Sequence, residues 1–312
     1  MSDFYVTILG NGSAVPTSNQ HPSCQIVKLT NAQFMIDCGE GSQMQMIKFG
    51  IKHRNLDHIF ISHLHGDHYF GIFGLISTFH LFGRKDPLNI YAPIDLKSLI
   101  DHQLRISRTN IKFKINFYPL EEAKKSPILI YRDYEVLVFS LNHRIPTWGI
   151  KISKASKDRN IDKDFVSRYK PTVDQILEIK QGKDFITESG LMIQNSDITL
   201  PQKPKLTYAY CSDTAYDESL IPILKDVDLL YHEATFDHKL EDIAIDKFHA
   251  TSAQAALLAK KANVGSLLLG HYSARFESLE VLLSEAKTVF PGSLLSEEGK
   301  SYEIGENQMN DR

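Results

Sequence analysis

Short apolar runs rich in β-branched and aromatic residues recur along this chain, and each ends in a polar or glycine-containing break, the signature of buried strands. Phe4 to Leu9 is the first and runs into Gly10-Asn11-Gly12-Ser13, read as a plain loop leading to Pro16-Thr17. Gln25 to Leu29 and Gln33 to Ile36 come next, the second closing in Asp37-Cys38-Gly39-Glu40-Gly41-Ser42-Gln43. The spacing predicts a helix through Met44 to Phe49 and a longer buried one over Tyr69 to Phe82, where glycine alternates with large apolar residues. From Leu88 the order becomes strand (Leu88 to Tyr91), helix (Leu96 to Ile106), then strands around Ile111 to Tyr118 and Ile128 to Leu141. Later strands are predicted at Leu206 to Tyr210, Asp228 to Tyr231 and Ser266 to Leu269. Helices are predicted over Leu220 to Leu224 and Ala253 to Ala262, the latter capped by Thr251 or Ser252. Strands interspersed with helices, some with antiparallel-looking neighbours, make the fold class α/β, a layered sandwich of mixed sheets.

The pattern changes between Lys151 and Lys205. Apolar periodicity thins, and Lys151, Lys154, Lys157, Arg159, Lys163, Arg168 and Lys170 outnumber the nearby acids Asp158, Asp162 and Asp164. This segment reads as an insertion outside the core, an arm with a short helix from Val173 to Ile179 and a turn at Glu188-Ser189-Gly190. Its charge is either a solvated face or a local basic patch for a polyanion. With 312 residues the chain is expected to form a single domain, 1–312, carrying an arm at about 151–205. A hydrophobic content of 42% suffices for a sizeable core, and a net charge of -3 excludes a global basic field, so a nucleic-acid partner would need a local patch. Cys24, Cys38 and Cys211 are odd in number and widely spaced, unlike a disulfide framework or a Cys-rich metal site. The amino terminus lacks a basic segment followed by an apolar core, and no apolar stretch is long enough to cross a bilayer. A soluble, cytoplasmic protein with no membrane partner is expected.

Candidate chemistry concentrates at Ile59 to His68, where an apolar run delivers His63, His65, Asp67 and His68. Residues i and i+2 of an extended segment point the same way, so His63 and His65 can share one metal ion. Gly66 is expected to let the chain turn, sending Asp67 and His68 toward a second ion. Four ligands cannot complete two shells. Three further candidates stand just past predicted strands: His143 after Glu135 to Leu141, Asp213 after Leu206 to Tyr210, and His271 after Ser266 to Leu269. Strand-end loops of α/β folds converge on one edge of the sheet, which is what one composite site requires. Asp37 is placed either to steady a ligand histidine or, with Ser42, to serve as a turn and cap residue. His80 reads as a core or surface histidine. His249 lies just before a helix amino terminus, a position suited to an anion.

His-Leu-His-Gly-Asp-His at 63–68, with His143, Asp213 and His271 downstream, resembles the metallo-β-lactamase superfamily. Pro16-Thr17, Asp37-Cys38-Gly39-Glu40-Gly41, Ser212-Asp213-Thr214, His232-Glu233-Ala234-Thr235, His249-Ala250-Thr251 and His271-Tyr272-Ser273-Ala274-Arg275 narrow the likeness to the ribonuclease Z family, endonucleases that mature the 3′ end of transfer RNA. The resemblance implies a four-layer αββα sandwich of two mixed sheets flanked by helices, with the arm as a substrate-binding exosite. It implies two Zn2+ per subunit, one on His63, His65 and His143 and one on Asp67, His68 and His271, with Asp213 bridging. It further implies hydrolysis of a phosphodiester that removes the 3′ trailer of precursor tRNA, leaving a tRNA 3′-hydroxyl and a 5′-phosphomonoester. Asp67 is then the general base, Glu233 and His249 the pair serving the leaving oxygen, and Ser273 and Arg275 the phosphate contacts. A homodimer is implied, one subunit's arm serving the other's site. Three departures stand out: Gln20-His21 where the family usually carries Arg-Asn, His-Ala-Thr for His-Ser-Thr, and an arm offering Lys170-Pro171-Thr172 in place of a Gly-Pro-rich tip. The competing expectation is a small-molecule phosphodiesterase or arylsulfatase of the same fold.

Overall fold

Fourteen apolar runs of the chain pair into two seven-stranded sheets in the computed structural model, which describes residues 4–305 apart from 31, 124–125, 156–158, 188 and 201–204. The strands are β1 (Tyr5–Gly10), β2 (Cys24–Leu29), β3 (Ala32–Ile36), β4 (Leu56–Phe60), β5 (Leu88–Ala92), β6 (Ile115–Pro119), β7 (Leu129–Tyr131), β8 (Tyr134–Leu141), β9 (Thr147–Lys154), β10 (Leu206–Cys211), β11 (Leu229–Glu233), β12 (Ser266–Gly270), β13 (Ser293–Leu295) and β14 (Ser301–Glu303). The first sheet has the order β14-β1-β2-β3-β4-β5-β6 and the second β13-β12-β11-β10-β9-β8-β7. Both are mixed. Pairing is antiparallel among β14, β1, β2 and β3, parallel from β3 through β6, and parallel again from β10 through β13.

Strands covered on both faces read as continuous apolar runs, which is why β3, β11 and β12 are buried at every position. One face of the first sheet is covered by the helices Ser42–Lys48, Gly71–Leu81 and Asp95–Ile106, through a core including Met35, Ile59, Leu75, Phe79 and Leu96. The helices Ile221–Leu224, Ser252–Lys261 and Glu280–Val289 cover the second, through Leu230, Leu267, Ala255, Leu258 and Leu282. Tyr208 and Tyr210 of β10 reach the first sheet, donating hydrogen bonds to Gln25 Oε1 and Asp37 Oδ2, so the two sheets face each other. The result is the expected αββα layering, helices outside and sheets inside.

The polypeptide divides into two units. One comprises residues 1–129, 136–152 and 207–312; the other comprises 130–135 and 153–206. β9 carries the chain past Lys151 as far as Lys154, so the inserted segment departs later than its charge pattern suggested. The second unit has a small core of its own, Phe165, Ile179, Phe185 and Ile198. Its helices Lys163–Tyr169 and Val173–Lys180 are capped by Asp162 and by a Thr172–Gln175 capping box. Asn195, just past a two-stranded hairpin, donates from Nδ2 to Ile179 O of the second helix and to Lys183 O beyond it, at 2.7 and 2.8 Å. The basic run is only partly free: Lys151 donates to Ile223 O, Lys154 lies over the Tyr134 ring and Arg159 donates to Asn195 Oδ1. Lys163, Arg168 and Lys170 are exposed. Lys157, Asp158 and Glu188 lie outside the described residues.

The three cysteines are buried free thiols. Among the described residues no helix is long and apolar enough to cross a membrane.

Candidate metal centre and its cleft

Parallel strands send their carboxyl ends to one edge of a sheet, and the chemistry-bearing loops of this chain leave from such ends. β3 ends at Ile36 and delivers Asp37; β4 ends at Phe60 and delivers His63 and His65. β8, β10 and β12 end at Leu141, Cys211 and Gly270 and deliver His143, Asp213 and His271. After an extended His65 the chain closes into one helical turn, Gly66–Tyr69, which re-aims Asp67 and His68. Gly66 itself keeps an ordinary backbone. A Cβ there would sit 2.3 Å from a ring carbon of Phe70, so a larger residue would displace that ring; left-handed geometry is not what the turn requires. Gly39 has a parallel reason: its Cβ would lie 2.4 Å from the Asp67 carbonyl oxygen, so the Asp37 loop and the Asp67 turn touch backbone to backbone.

All seven predicted ligands converge. His63 Nε2 and His143 Nε2 stand 3.1 and 3.3 Å from His65 Nδ1, forming one nitrogen triangle. Asp67, His68 and His271 form a second group. Asp213 lies between the two: its Oδ2 is 3.5 Å from His63 Nε2 and 3.6 Å from His143 Nε2, its Oδ1 3.3 Å from His68 Nε2 and 3.1 Å from His271 Nε2. A carboxylate with one oxygen toward each triangle can join two cations. Asp67 Oδ2 closes the second group at 3.4 Å from His68 Nε2 and 3.5 Å from His271 Nε2.

The ring orientations are imposed from behind. Asp37 Oδ2 accepts from His68 Nδ1 at 2.7 Å. Ser62 Oγ donates to Asp37 Oδ2 at 2.9 Å and accepts from His63 Nδ1 at 3.0 Å. His143 Nδ1 donates to Phe248 O at 2.8 Å, and His271 Nδ1 to Thr235 Oγ1 at 2.9 Å. With Nδ1 carrying the proton, Nε2 of these four rings keeps its lone pair for a metal. Two of those nitrogens, His68 Nε2 and His271 Nε2, are buried and lack a hydrogen-bond partner among the described residues. Orphaned buried nitrogens among carboxylate oxygens are what a cation would satisfy, and an all-nitrogen-and-oxygen donor set suits zinc among other divalent ions.

Electrostatics agree with a neutral donor for His63, His65 and His143, whereas at His68 burial is outweighed by the carboxylates Asp67, Asp213 and Asp37, which raise the ring in the absence of a cation. Burial, reinforced by its histidine neighbours, pushes His65 down to about 4, and burial likewise lowers His63 and His143. Neutral imidazoles are the form that binds metal. Burial works against the charge on Asp67 and Asp213, but the surrounding imidazoles outweigh it and hold both carboxyls below their usual range. Asp67 also accepts a hydrogen bond on Oδ2 from Ala14 N at 2.8 Å, so the loop after Gly12, read from sequence as plain, touches the centre.

Glu233 and His249 meet beside it. His249 Nδ1 lies 2.8 Å from Glu233 Oε1, which also accepts from Thr214 N at 2.7 Å, while Thr235 Oγ1 donates to Glu233 Oε2 at 2.6 Å. Burial opposes a charge on His249, but Glu233 overrides it and raises the ring to about 9. His249, Asp213 and His271 together line a cleft of about 420 Å³ with Phe70, Arg144 and Pro16. Ser273 and Arg275 stand apart from that lining. Arg275 Nε donates to Ser273 Oγ at 3.0 Å, and its guanidinium packs 4.8 Å over the Phe236 ring. His21 is turned to Glu298, with Nδ1 at 2.9 Å from Oε2. His80 packs on the outer helix Gly71–Leu81, away from the ligand loops.

Sequence reasoning missed Thr235, Ser62, Tyr210, Arg144 and Phe70. The only available signal for the first three was their place within or beside loops that carry ligands, since a hydroxyl behind a histidine has no spacing rule of its own.

Comparison with known proteins follows the same lines. The model of one family, described as Anti-Pycsar protein Apyc1, matches residues 4–178, a span that holds His63 to His68 and His143 and stops before Asp213, Glu233, His249 and His271. Ribonuclease Z of Parabacteroides distasonis is 44% identical over 304 residues, which is 97% of this chain and 100% of the relative. Ribonuclease Z of Bacteroides fragilis is 42% identical over 298 residues, 96% of this chain and 98% of the relative. Among solved structures, the short form of human tRNase Z is similar at a TM-score of 0.69 with 24% identity, over 97% of this chain and 100% of that one. The metallo-β-lactamase fold protein YhfI from Bacillus subtilis gives 0.67 with 21% identity, over 96% and 99%.

Proposed function

The chain belongs to the ribonuclease Z family, its residues 4–178 sharing the Anti-Pycsar Apyc1 family pattern, and from that premise we propose that it is the metal-dependent endoribonuclease that removes the 3′ trailer from precursor tRNA. The observation that carries the reading is the convergence of seven ligand side chains beside the Glu233–His249 pair in one cleft.

His63, His65 and His143 would hold one ion and Asp67, His68 and His271 the other, with Asp213 touching both; we assign zinc, two per subunit. When bound, such a pair of ions supplies a deprotonated water near neutral pH and stabilises charge developing on the phosphate. The chain's own groups do the rest. Asp67 Oδ2 is held by Ala14 N, leaving Oδ1 to take a proton from the attacking water as general base. Glu233 keeps His249 protonated, and that ring delivers its proton to the departing ribose 3′-oxygen, so the tRNA leaves with a 3′-hydroxyl and the trailer with a 5′-phosphate. Thr235 couples the pair to the metal side, since one hydroxyl bridges Glu233 and His271. Ser273 and Arg275, bonded to each other, serve as contacts for RNA phosphate outside the cleft lining.

The unit with residues 153–206 is the substrate-gripping arm, and its exposed Lys163, Arg168 and Lys170 supply the local positive charge that the whole chain lacks. The working form is a homodimer in which each arm serves the partner's cleft. Its place is the cytoplasm, where buried thiols stay reduced.

The test is cleavage of a precursor tRNA and of a chromogenic phosphodiester by zinc-loaded protein and by Asp67→Ala. Trailer removal that vanishes in the variant is expected. Hydrolysis of the chromogenic ester alone would replace this reading with a small-molecule phosphodiesterase.

A further inference from the structure

A ribonuclease must grip the nucleotide beside the bond it breaks, and neither the seven ligands nor the Glu233–His249 pair offers a surface for a base. Among the cleft-wall side chains with no part in the chemistry described above, Phe70 is the aromatic one and Arg144 the cationic one. Phe70 is 54% exposed, although it follows directly on the metal-binding turn. Its ring is pressed against Gly66, where no Cβ could fit, and Tyr69 crosses it edge-on at 5.0 Å between centroids. The ring thus packs on the Gly66 backbone and the Tyr69 edge, lines the cleft together with Asp67, and leaves much of its surface open. Order without burial is costly for an apolar side chain unless something covers it.

Arg144 follows the ligand His143 and is exposed at the same cleft. Among the described residues it has no hydrogen bond and no ion pair, in a wall that also carries Glu40, Asp67 and Asp213. A free guanidinium beside carboxylates that face inward to metal is matched to an anion arriving with the substrate. Arg275, bonded to Ser273 and packed over Phe236, lies outside this lining, so its phosphate contact is a different one from the anion that Arg144 faces in the cleft.

We propose that Phe70 and Arg144 form a nucleotide subsite, the ring stacking on a base next to the scissile phosphate and the guanidinium holding the adjoining phosphate. This rests on the ribonuclease reading for its substrate. Aromatic stacking tolerates any base because every base presents a π-face, so the subsite fixes position without reading sequence.

The experiment is a coupling cycle between protein and RNA. Precursor tRNAs with an abasic nucleotide immediately before or after the scissile phosphate are compared with the intact one on wild type, Phe70→Leu and Phe70→Tyr, reading KM, kcat and Kd. In wild type and Phe70→Tyr one abasic position is expected to raise KM and Kd on the order of tenfold, the scale of one lost stack. In Phe70→Leu the same abasic RNA is expected to cost nothing further. Arg144→Gln is expected to flatten the slope of log Kd against log salt by about 0.7, the share of one phosphate contact on a single strand. Equal abasic penalties in wild type and Phe70→Leu, or an unchanged salt slope in Arg144→Gln, would overturn the subsite. Coupling seen in Kd without any RNA cleavage by wild type would keep the subsite and remove the ribonuclease reading; cleavage without coupling would do the reverse.

Discussion

Replacing Asp37 by asparagine isolates the residue that holds both halves of the metal centre without touching a metal itself. Its carboxylate is fully buried and accepts four hydrogen bonds: from Ser62 N at 2.7 Å on Oδ1, and from Ser62 Oγ at 2.9 Å, Tyr210 Oη at 2.7 Å and His68 Nδ1 at 2.7 Å on Oδ2. An amide has one accepting end. If its oxygen takes the Oδ2 place, the NH2 group faces the Ser62 N–H; if it flips, the NH2 group faces three donors. Either way at least one buried donor loses its partner, a cost of about 1–3 kcal/mol in stability. The larger consequence falls on the metal. His68 loses a charged acceptor, and Ser62, which orients His63, loses its own, so one ring in each triangle is freed to turn. Loss of such an outer partner weakens metal affinity about 10–100-fold. Zinc affinity measured by chelator competition, alongside thermal unfolding of the metal-free protein, separates the two effects. A folded Asp37→Asn protein whose zinc affinity stays within about threefold of wild type would refute the orienting role.

Chelation should abolish cleavage, zinc return should restore it, and metal-free protein should be less stable by about 2.7 kcal/mol for each of the two ions relative to protein held at a hundredfold excess of free ion over Kd, checked by denaturant unfolding. Glu233→Gln should lower kcat for precursor tRNA about 10²–10⁴-fold. Because Glu233 holds His249 protonated from its ordinary 6.5 up to about 9, activity that needs the proton persists through that window in wild type and is lost as pH rises through its upper end. In the variant the alkaline limb of the pH profile should move down, and an unmoved limb would dissociate the pair from proton delivery. Removing residues 153–206 should weaken precursor tRNA binding far more than turnover of a small phosphodiester, with equal losses counting against the arm. Mixing the arm-deleted chain with Asp67→Ala should restore trailer removal, measured on a gel, if each arm serves its partner.

The clustering of the candidate ligands was legible because those residues obey rules that act along the chain. His63 and His65 are two apart in an extended segment, and His143, Asp213 and His271 each follow an apolar strand whose end must lie at a sheet edge. Residue order therefore fixed which side chains could meet. The helix Ser252–Lys261 was equally plain, its Thr251 cap and Gln254 forming the capping box that a local pattern encodes. What spacing left open was geometry across the sheets. Asp37 was both a turn residue and a ligand's anchor until Tyr210 of the opposite sheet and Ser62, in the loop after the neighbouring strand, closed around it. The separate core at Phe165, Ile179, Phe185 and Ile198 was hidden in a segment that composition marked only as charged. Arg144 carried no signal in its spacing, and only folding placed it in the cleft wall while Arg275 packed over Phe236 outside that lining. Periodicity and strand ends are properties of one segment at a time, so the sequence determined the elements, the layers and which His and Asp side chains gather in one cluster. Hydrogen-bond partners and cleft walls are set by segments far apart in the chain, so only the tertiary structure decided which groups orient the histidines and which remain free for substrate.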